Sequence, residues 1–115
     1  MEGTQGQQLP SRWASVPKRL PASLDALTGP AGGVVELPFD LAWSGDRNFD
    51  LAKPDDRYLY YMTVLTAAIT PEHYTQWLNA DLLRSEWGRL VLPPRLRDIW
   101  QQRFPELAAA RVKHV

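Results

Sequence analysis

The sequence predicts an α+β fold in which helices dominate: a short N-terminal β-hairpin followed by about four helices in one core. Three observations carry this prediction. Short β-branched or alternating apolar runs, bounded by Gly and Pro, occupy residues 33–51. Helical periodicity then extends from residue 55 to residue 104, interrupted by Pro and Gly. The length of 115 residues suits a single domain.

Both ends of the chain are predicted to lie outside the globular domain, which spans residues 19–107. Residues 1–18 are rich in Gly, Gln, Ser and Pro without any period, which is typical of a disordered arm. Trp13 stands out there, because a tryptophan in such an arm often docks on its own domain or on a partner. Residues 108–115 are predicted to form a frayed C-terminal tail.

The predicted hairpin begins after a Gly-rich segment at residues 29–33. Residues 34–37 are expected to form the first strand, because they are mostly β-branched or apolar and are bounded by Gly and Pro. Residues 39–43 alternate apolar with polar or small side chains, as a second strand would, and residues 49–51 alternate again. The Gly-rich segment lacks the lysine and following helix that phosphate binding requires, so a plain turn is expected.

The first predicted helix starts at a cap formed by Asp55 or Asp56 and ends near Ile69. Its apolar positions recur at i, i+3, i+4, i+7 and i+11, which places them on one helical face. The members of this stripe are Tyr58, Tyr61, Met62, Leu65 and Ile69.

Three further helices are predicted. Thr70, with Pro71 behind it, is the expected cap of the second, and Asn79 is the expected cap of the third. The fourth begins near Pro94 and ends before Pro105. Their predicted inward residues are Tyr74, Trp77, Leu78, Leu82, Leu83, Trp87, Leu96, Ile99, Trp100 and Phe104.

No catalytic, cofactor-binding or metal-binding centre is predicted. The chain has no cysteine, and its two histidines, His73 and His114, lack the spacing of zinc ligands. No nucleophile-elbow motif presents a serine. His73 is expected to be an exposed residue in the first turn of a helix. The acids of residues 40–56 are expected to serve turns and caps, with Mg²⁺ binding or acid–base chemistry as the alternative.

Charge is unevenly distributed although the formal net charge is zero. Residues 1–20 carry +2, residues 21–80 carry −5 and residues 81–115 carry +3. An acidic middle between basic ends indicates an oriented surface for a partner, with ordinary solvated charge as the alternative. No run of residues matches a signal peptide or a membrane helix, so the protein is expected to be soluble and cytoplasmic.

The predicted function is a non-enzymatic module that binds another protein. The candidate partner-binding residues share a hot-spot side chain or a charge with expected exposure. They are Trp13, Trp43, Asp46, Asp50, Asp55, Arg84, Arg89 and Arg95. The alternative is a DNA-binding transcriptional regulator that uses the last two helices, although residues 88–93 are longer than the usual turn of a helix-turn-helix.

Four segments carry a family resemblance: residues 33–38 (GVVELP), 41–45 (LAWSG), 92–100 (LPPRLRDIW) and 104–107 (FPEL). On these motifs the chain resembles a group of small uncharacterised actinobacterial proteins over roughly residues 20–107. Such proteins accompany nucleotidyltransferase-type toxins of the abortive-infection class. The resemblance therefore implies an antitoxin or another partner of such a toxin, and it implies no catalytic residue in this chain.

Overall fold

The computed structural model describes residues 13–42 and 48–112, with side chains as far as residue 108. It has the predicted α+β architecture: a two-stranded antiparallel hairpin near the N-terminus and, within the described residues, six α-helices. None of the described helices combines the length and the apolar character needed to cross a membrane. The elements are α1 (Val16–Arg19), β1 (Val34–Glu36), β2 (Asn48–Asp50), α2 (Pro54–Ala67), α3 (Pro71–Trp77), α4 (Ala80–Glu86), α5 (Pro94–Arg103) and α6 (Pro105–Val112), with short 3₁₀ turns at Leu24–Ala26 and Trp87–Arg89.

The hairpin pairs β1 with β2 in the register Val34↔Asp50, Val35↔Phe49 and Glu36↔Asn48. The prediction of a strand over residues 39–43 was wrong for the part that the structure describes. Residues 39–41 form a turn instead, because the backbone N–H groups of residues 41 and 42 both donate to the carbonyl of residue 38. Alternation of apolar residues therefore does not distinguish this turn from a strand.

Helix α2 buries part of the predicted stripe: Tyr61 and Leu65 are buried as predicted, and the predicted members Tyr58 and Met62 are half-buried. Tyr60 and Val64, which were not predicted, complete the buried face. Ile69 is 65% exposed because α2 ends at Ala67 and the chain then turns outward. The inward face follows β2 and α3, against which α2 packs, and the apolar pattern alone does not reveal those neighbours.

The predicted caps are confirmed for α3 and α4 and wrong for α2. Thr70 Oγ1 accepts from the N–H of His73, and Asn79 Oδ1 accepts from the N–H of Leu82. Neither Asp55 nor Asp56 caps α2. Lys53 occupies the N-cap position, and the carboxylate at position 56 instead accepts the N–H of residue 50, which ties β2 to the start of α2.

Residues 13–18 are part of the folded domain, so the predicted disordered arm was wrong over these positions. Trp13 and Val16 are buried in the core. Helix α1 packs against α5, and the guanidinium of Arg103 donates to the carbonyls of Pro17 (2.9 Å) and Pro21 (3.4 Å). The remainder of that predicted arm, residues 1–12, lies outside the described residues. At the other end, α6 extends through residue 112 of the predicted tail.

The Gly-rich segment is more than a plain turn, because Gly29 lies against the backbone at the end of α3. A β-carbon at this position would stand 2.6 Å from the carbonyl carbon of Trp77. The close approach lets the N–H of Gly29 donate to the carbonyl of Leu78 (2.8 Å), while Thr28 and Asn79 form an antiparallel bridge. Only a residue without a side chain permits this approach.

The centre of the core is an aromatic cluster around Trp100, which is fully buried. Its ring lies 5.2 Å from that of Tyr74 in an edge-on arrangement, 5.7 Å from Phe104 and 6.3 Å from Trp87. These four residues come from α3, the turn after α4, α5 and the residue between α5 and α6. The cluster therefore connects the helices that follow α2, and its four members are all residues predicted to face inward.

Candidate functional site

A cleft of about 340 Å³ lies where residues 13–19, the turn at residues 38–42 and the C-terminal end of α2 meet. A volume of this size falls in the range of small binding sites. Its walls are a mixture of apolar, aromatic and charged side chains. They are Trp13, Arg19, Asp40, Thr66, Ala67, Ala68 and Ile69.

One wall of the cleft is held in place by a hydrogen-bonded pair, Asp40 and His73. The Nδ1 atom of His73 accepts the backbone N–H of Ile69 (3.0 Å), so the ring proton belongs to Nε2. Nε2 then donates to Oδ2 of Asp40 (2.9 Å). His73 is 8% exposed, so the prediction of a surface histidine was wrong. Both ring nitrogens of His73 form hydrogen bonds within the protein, so the ring links the turn at residues 38–42 to α3.

The positive charge in the cleft, opposite in sign to that of Asp40, comes from Arg19 at the end of α1. Its Nη1 donates to Ser15 Oγ (2.6 Å), and its Nη2 donates to the carbonyl of Ala68 (3.4 Å). A cation at this point is favourable, because the last carbonyls of α2 carry the negative end of the helix dipole. Behind the guanidinium, burial raises the pKa of the Tyr74 hydroxyl, and the nearby charge of Arg19 offsets part of that rise.

Two large apolar side chains are exposed in the segments that form the cleft, of which Ile69 lines it. Phe39, which precedes Asp40, and Ile69 are each 65% exposed. Exposed large apolar side chains beside a concave surface are typical of interaction sites. Trp13 closes the inner wall with 9% exposure, so its indole forms a buried rather than a free anchor.

The predicted acidic candidates do not meet in one place. Asp50 accepts the N–H of Ala52 (3.0 Å) and serves the turn after β2. Asp55 is exposed in the first turn of α2, at the opposite end of the helix from the cleft. Trp43 and Asp46 lie outside the described residues. Among the described side chains, no three His, Asp or Glu residues are placed to hold a metal ion.

The predicted arginines are largely committed to contacts within the fold. Arg84 is surrounded by three carboxylates: Glu106 (2.7 Å), Asp81 (3.1 Å) and Asp25 (3.3 Å). The hydrogen bond that Arg84 donates to Glu106 is the main cause that raises the pKa of Arg84. Its charge therefore joins α4, α6 and the 3₁₀ turn at residues 24–26.

Arg89 belongs to a second network, which centres on the buried carboxylate of Glu86. Arg57 Nε and Arg89 Nε each lie 2.7 Å from one oxygen of Glu86, which is 3% exposed. Arg89 also donates to the carbonyl of Pro54 (2.6 Å) and stacks over the ring of Tyr58. These ion pairs and hydrogen bonds connect the start of α2 with the end of α4.

Arg97 and Arg103 of α5 donate to backbone carbonyls within the protein. Of the three predicted arginine candidates, Arg95 is exposed and has no such contact among the described residues. The five arginines between the start of α4 and the end of α5 (Arg84, Arg89, Arg95, Arg97 and Arg103) therefore do not form one open basic surface. This geometry gives less support to the DNA-binding alternative than the sequence does.

Sequence reasoning did not find Arg19 as a site residue. It named Asp40 only as part of the acidic segment at residues 40–56, and it did not pair Asp40 with His73, which lies 33 positions away. No family model matches this chain, and neither a curated protein nor a solved structure shows significant similarity to it.

Proposed function

We propose that this chain is a non-enzymatic module that binds another protein through the cleft. The observation that carries the proposal is the combination in one cleft of an aromatic wall, a cation, an anion and the exposed side chain of Ile69, with a second exposed apolar residue, Phe39, next to Asp40 in the chain. Trp and Arg are the residue types that dominate binding hot spots. The exposed Phe39 and Ile69 supply apolar area that a partner would cover.

The charges of the cleft define the kind of partner segment that fits. An apolar side chain of the partner enters between Trp13 and Ala67, where the walls are apolar. An acidic group beside it pairs with Arg19, and a basic group pairs with Asp40, whose side chain is 60% exposed. Such paired charges fix orientation and partner choice more than they add affinity.

The proposal is tested by capturing the partner from the native host and measuring its affinity for surface variants. Phe39→Ser and Ile69→Ser remove exposed apolar area and keep the backbone N–H of Ile69 that His73 uses. Each is expected to raise the dissociation constant about tenfold or more, which corresponds to about 1.4 kcal/mol. Val91→Ser is the matched control, because Val91 is 74% exposed and does not line the cleft. Affinity unchanged in both cleft variants would refute the proposal.

The resemblance adds one partner class to the proposal, a nucleotidyltransferase-type toxin that this chain would bind as its antitoxin. Co-expression with such a toxin tests this directly. Growth restored by the wild-type chain and lost with Phe39→Ser would support it. Equal growth with and without the chain would remove the toxin from consideration and leave the cleft to another partner.

A further inference from the structure

The imidazole of His73 contacts two segments that line the cleft, and its hydrogen bonds match the neutral ring. Nδ1 accepts the backbone N–H of Ile69 (3.0 Å), and Nε2 lies 2.9 Å from Oδ2 of Asp40. A neutral imidazole has one acceptor and one donor nitrogen, whereas a protonated ring has two donors. Histidine is also the side chain whose charge ordinarily changes between pH 5 and pH 8. Proton uptake by His73 therefore places a donor against the N–H donor of Ile69.

The charges closest to the ring come from the turn after β1 and from α1. Among the described residues, Asp40 is the acid whose carboxylate lies within hydrogen-bonding distance of the ring. Its negative charge attracts an imidazolium at Nε2 and exerts no such pull at Nδ1. Arg19 lines the same cleft and offsets part of the charge of Asp40.

The helices around the ring add little charge to this balance. On α3, Glu72 precedes the histidine and is exposed, and Tyr74 follows it as a neutral phenol whose pKa is raised by burial. Residues 62–67, the part of α2 nearest to α3 in the chain, have no titratable side chain. Helix α5 meets α3 through the rings of Trp100 and Tyr74. The two ring nitrogens therefore respond to protonation mainly through their own partners.

The two hydrogen bonds of the ring change in opposite directions on protonation. The bond to Asp40 becomes charge-assisted and therefore stronger. The N–H of Ile69 loses its acceptor, and a donor that faces another donor is costly. Ile69 lines the cleft next to Ala68, so this loss falls on a wall of the cleft.

We propose that His73 is a pH-sensitive switch for the cleft. The neutral ring holds Ile69 in place, and the protonated ring stays on Asp40 and releases Ile69. The released segment is short, because the N–H of Ala68 remains bonded to α2 and Thr70 still caps α3. The consequence for binding rests on the proposed function: a partner that covers Ile69 binds less tightly at pH 5 than at pH 8.

Backbone NMR of the full chain between pH 8 and pH 5 tests the switch without any partner. The protection of the Ile69 amide against hydrogen exchange should fall at least about tenfold as the ring of His73 titrates. The amides of Val64 and Leu65, in the buried part of α2, should keep their protection. Constant protection of Ile69 in wild type overturns the proposal, as does a loss that α2 shares, because that loss is general unfolding.

Three variants assign the effect to the ring and its partner. His73→Asn keeps an oxygen acceptor for Ile69 and does not titrate, so the protection of Ile69 should no longer depend on pH. His114→Asn removes the other histidine of the chain and should behave as wild type. Asp40→Asn removes the charge that favours the imidazolium, so the midpoint of the Ile69 transition should move to lower pH. An unchanged midpoint, or a pH dependence that persists in His73→Asn, overturns the switch.

The affinity of the partner captured from the native host separates the switch from the proposed function. Its dissociation constant for wild type should rise several-fold from pH 8 to pH 5, and that for His73→Asn should rise less. An affinity that stays level while the protection of Ile69 falls contradicts the cleft as the binding surface and leaves the switch intact. A level protection of Ile69 overturns the switch whatever the affinity does.

Discussion

Nε2 of His73 lies 2.9 Å from Oδ2 of Asp40, while Nδ1 of the same ring lies 3.0 Å from the backbone nitrogen of Ile69. One imidazole thus joins the turn after β1 to the segment between α2 and α3. Both segments contribute residues that line the cleft, Asp40 and Ile69. The shape of the candidate site therefore depends on a buried side chain that does not itself line the site.

His73→Ala is expected to destabilise the fold by about 1–3 kcal/mol, because it removes two hydrogen bonds and leaves the N–H of Ile69 without its acceptor. Asp40→Asn keeps an acceptor oxygen and should cost less than about 1 kcal/mol. Chemical denaturation gives both values. In a double-mutant cycle, His73→Ala and Asp40→Ala should show a coupling above about 0.5 kcal/mol, whereas His73→Ala and Asp98→Ala should be additive. Additive effects of His73→Ala and Asp40→Ala would contradict a direct interaction between these two side chains.

Deletion of residues 1–18 is expected to lower the free energy of unfolding by more than about 3 kcal/mol. The deletion removes the buried Trp13 and Val16 and the carbonyl of Pro17 that Arg103 uses. Trp13→Ala alone should account for most of the loss. Urea denaturation of the two variants and of wild type measures it. Equal stability of the deleted and full chains would show that this segment does not belong to the core.

Gly29→Ala is expected to lower the free energy of unfolding by about 1–3 kcal/mol. Its β-carbon would stand 2.6 Å from the backbone carbonyl carbon of Trp77, so the backbone must move. Gly32→Ala is the matched control. Apart from its chain neighbours, no atom of the described residues lies within 4 Å of its added β-carbon, and its φ is not in the left-handed region, so a gain in stability of about 0.4–1 kcal/mol is expected. Melting temperatures of the two variants should move in opposite directions. A common direction for both would argue against the close approach at Gly29.

The buried tyrosines of α2 are expected to make the fold sensitive to alkali. Burial raises the pKa of Tyr61 from its ordinary value of 10 to about 12, and burial together with the charge of Tyr61 raises that of Tyr60 as well. A folded pKa above the unfolded value means that folding favours the protonated phenol. This contribution is complete below pH 10 and is lost as the pH rises through about 12.

Unfolding measured between pH 9 and 12 should therefore show stability falling by on the order of 2 kcal/mol for Tyr61 alone. Tyrosinate absorbance should report ionisation that coincides with unfolding. Tyr61→Phe should make the decline shallower, because it removes one of the shifted groups. Stability that stays level over this range would show that the phenols ionise without loss of the fold.

Duplex DNA is expected not to bind at about 50 mM salt, a concentration at which non-specific phosphate contacts are strong. The formal net charge of the chain is zero, and Arg84, Arg89, Arg97 and Arg103 make contacts within the fold. Fluorescence anisotropy with a labelled duplex measures this. Binding that Arg95→Glu abolishes would instead restore the DNA-binding alternative, because Arg95 is the exposed arginine at the start of α5.

Local signals were sufficient for the start sites of α3 and α4 and for the aromatic core around Trp100. Thr70 and Asn79 cap their helices through hydrogen bonds that span three residues, so the sequence window contains both partners. The candidate site could not be predicted from local signals. The sequence presented Asp40 as an acid in a predicted strand and His73 as a histidine in the first turn of a helix. Their hydrogen bond depends on how two segments that are distant in the sequence pack together.

By itself the sequence determined the fold class, the order of the hairpin and helices, and the side chains that α3 to α5 turn inward, because periodicity, caps and breakers act over a few residues. Only the tertiary structure decided that Trp13 lines a cleft, that His73 is buried, and that Arg84 and Arg89 pair with carboxylates of the same chain. Each of these depends on contacts between residues far apart in the chain, and burial or pairing at that range is set by the packing of whole elements rather than by local pattern.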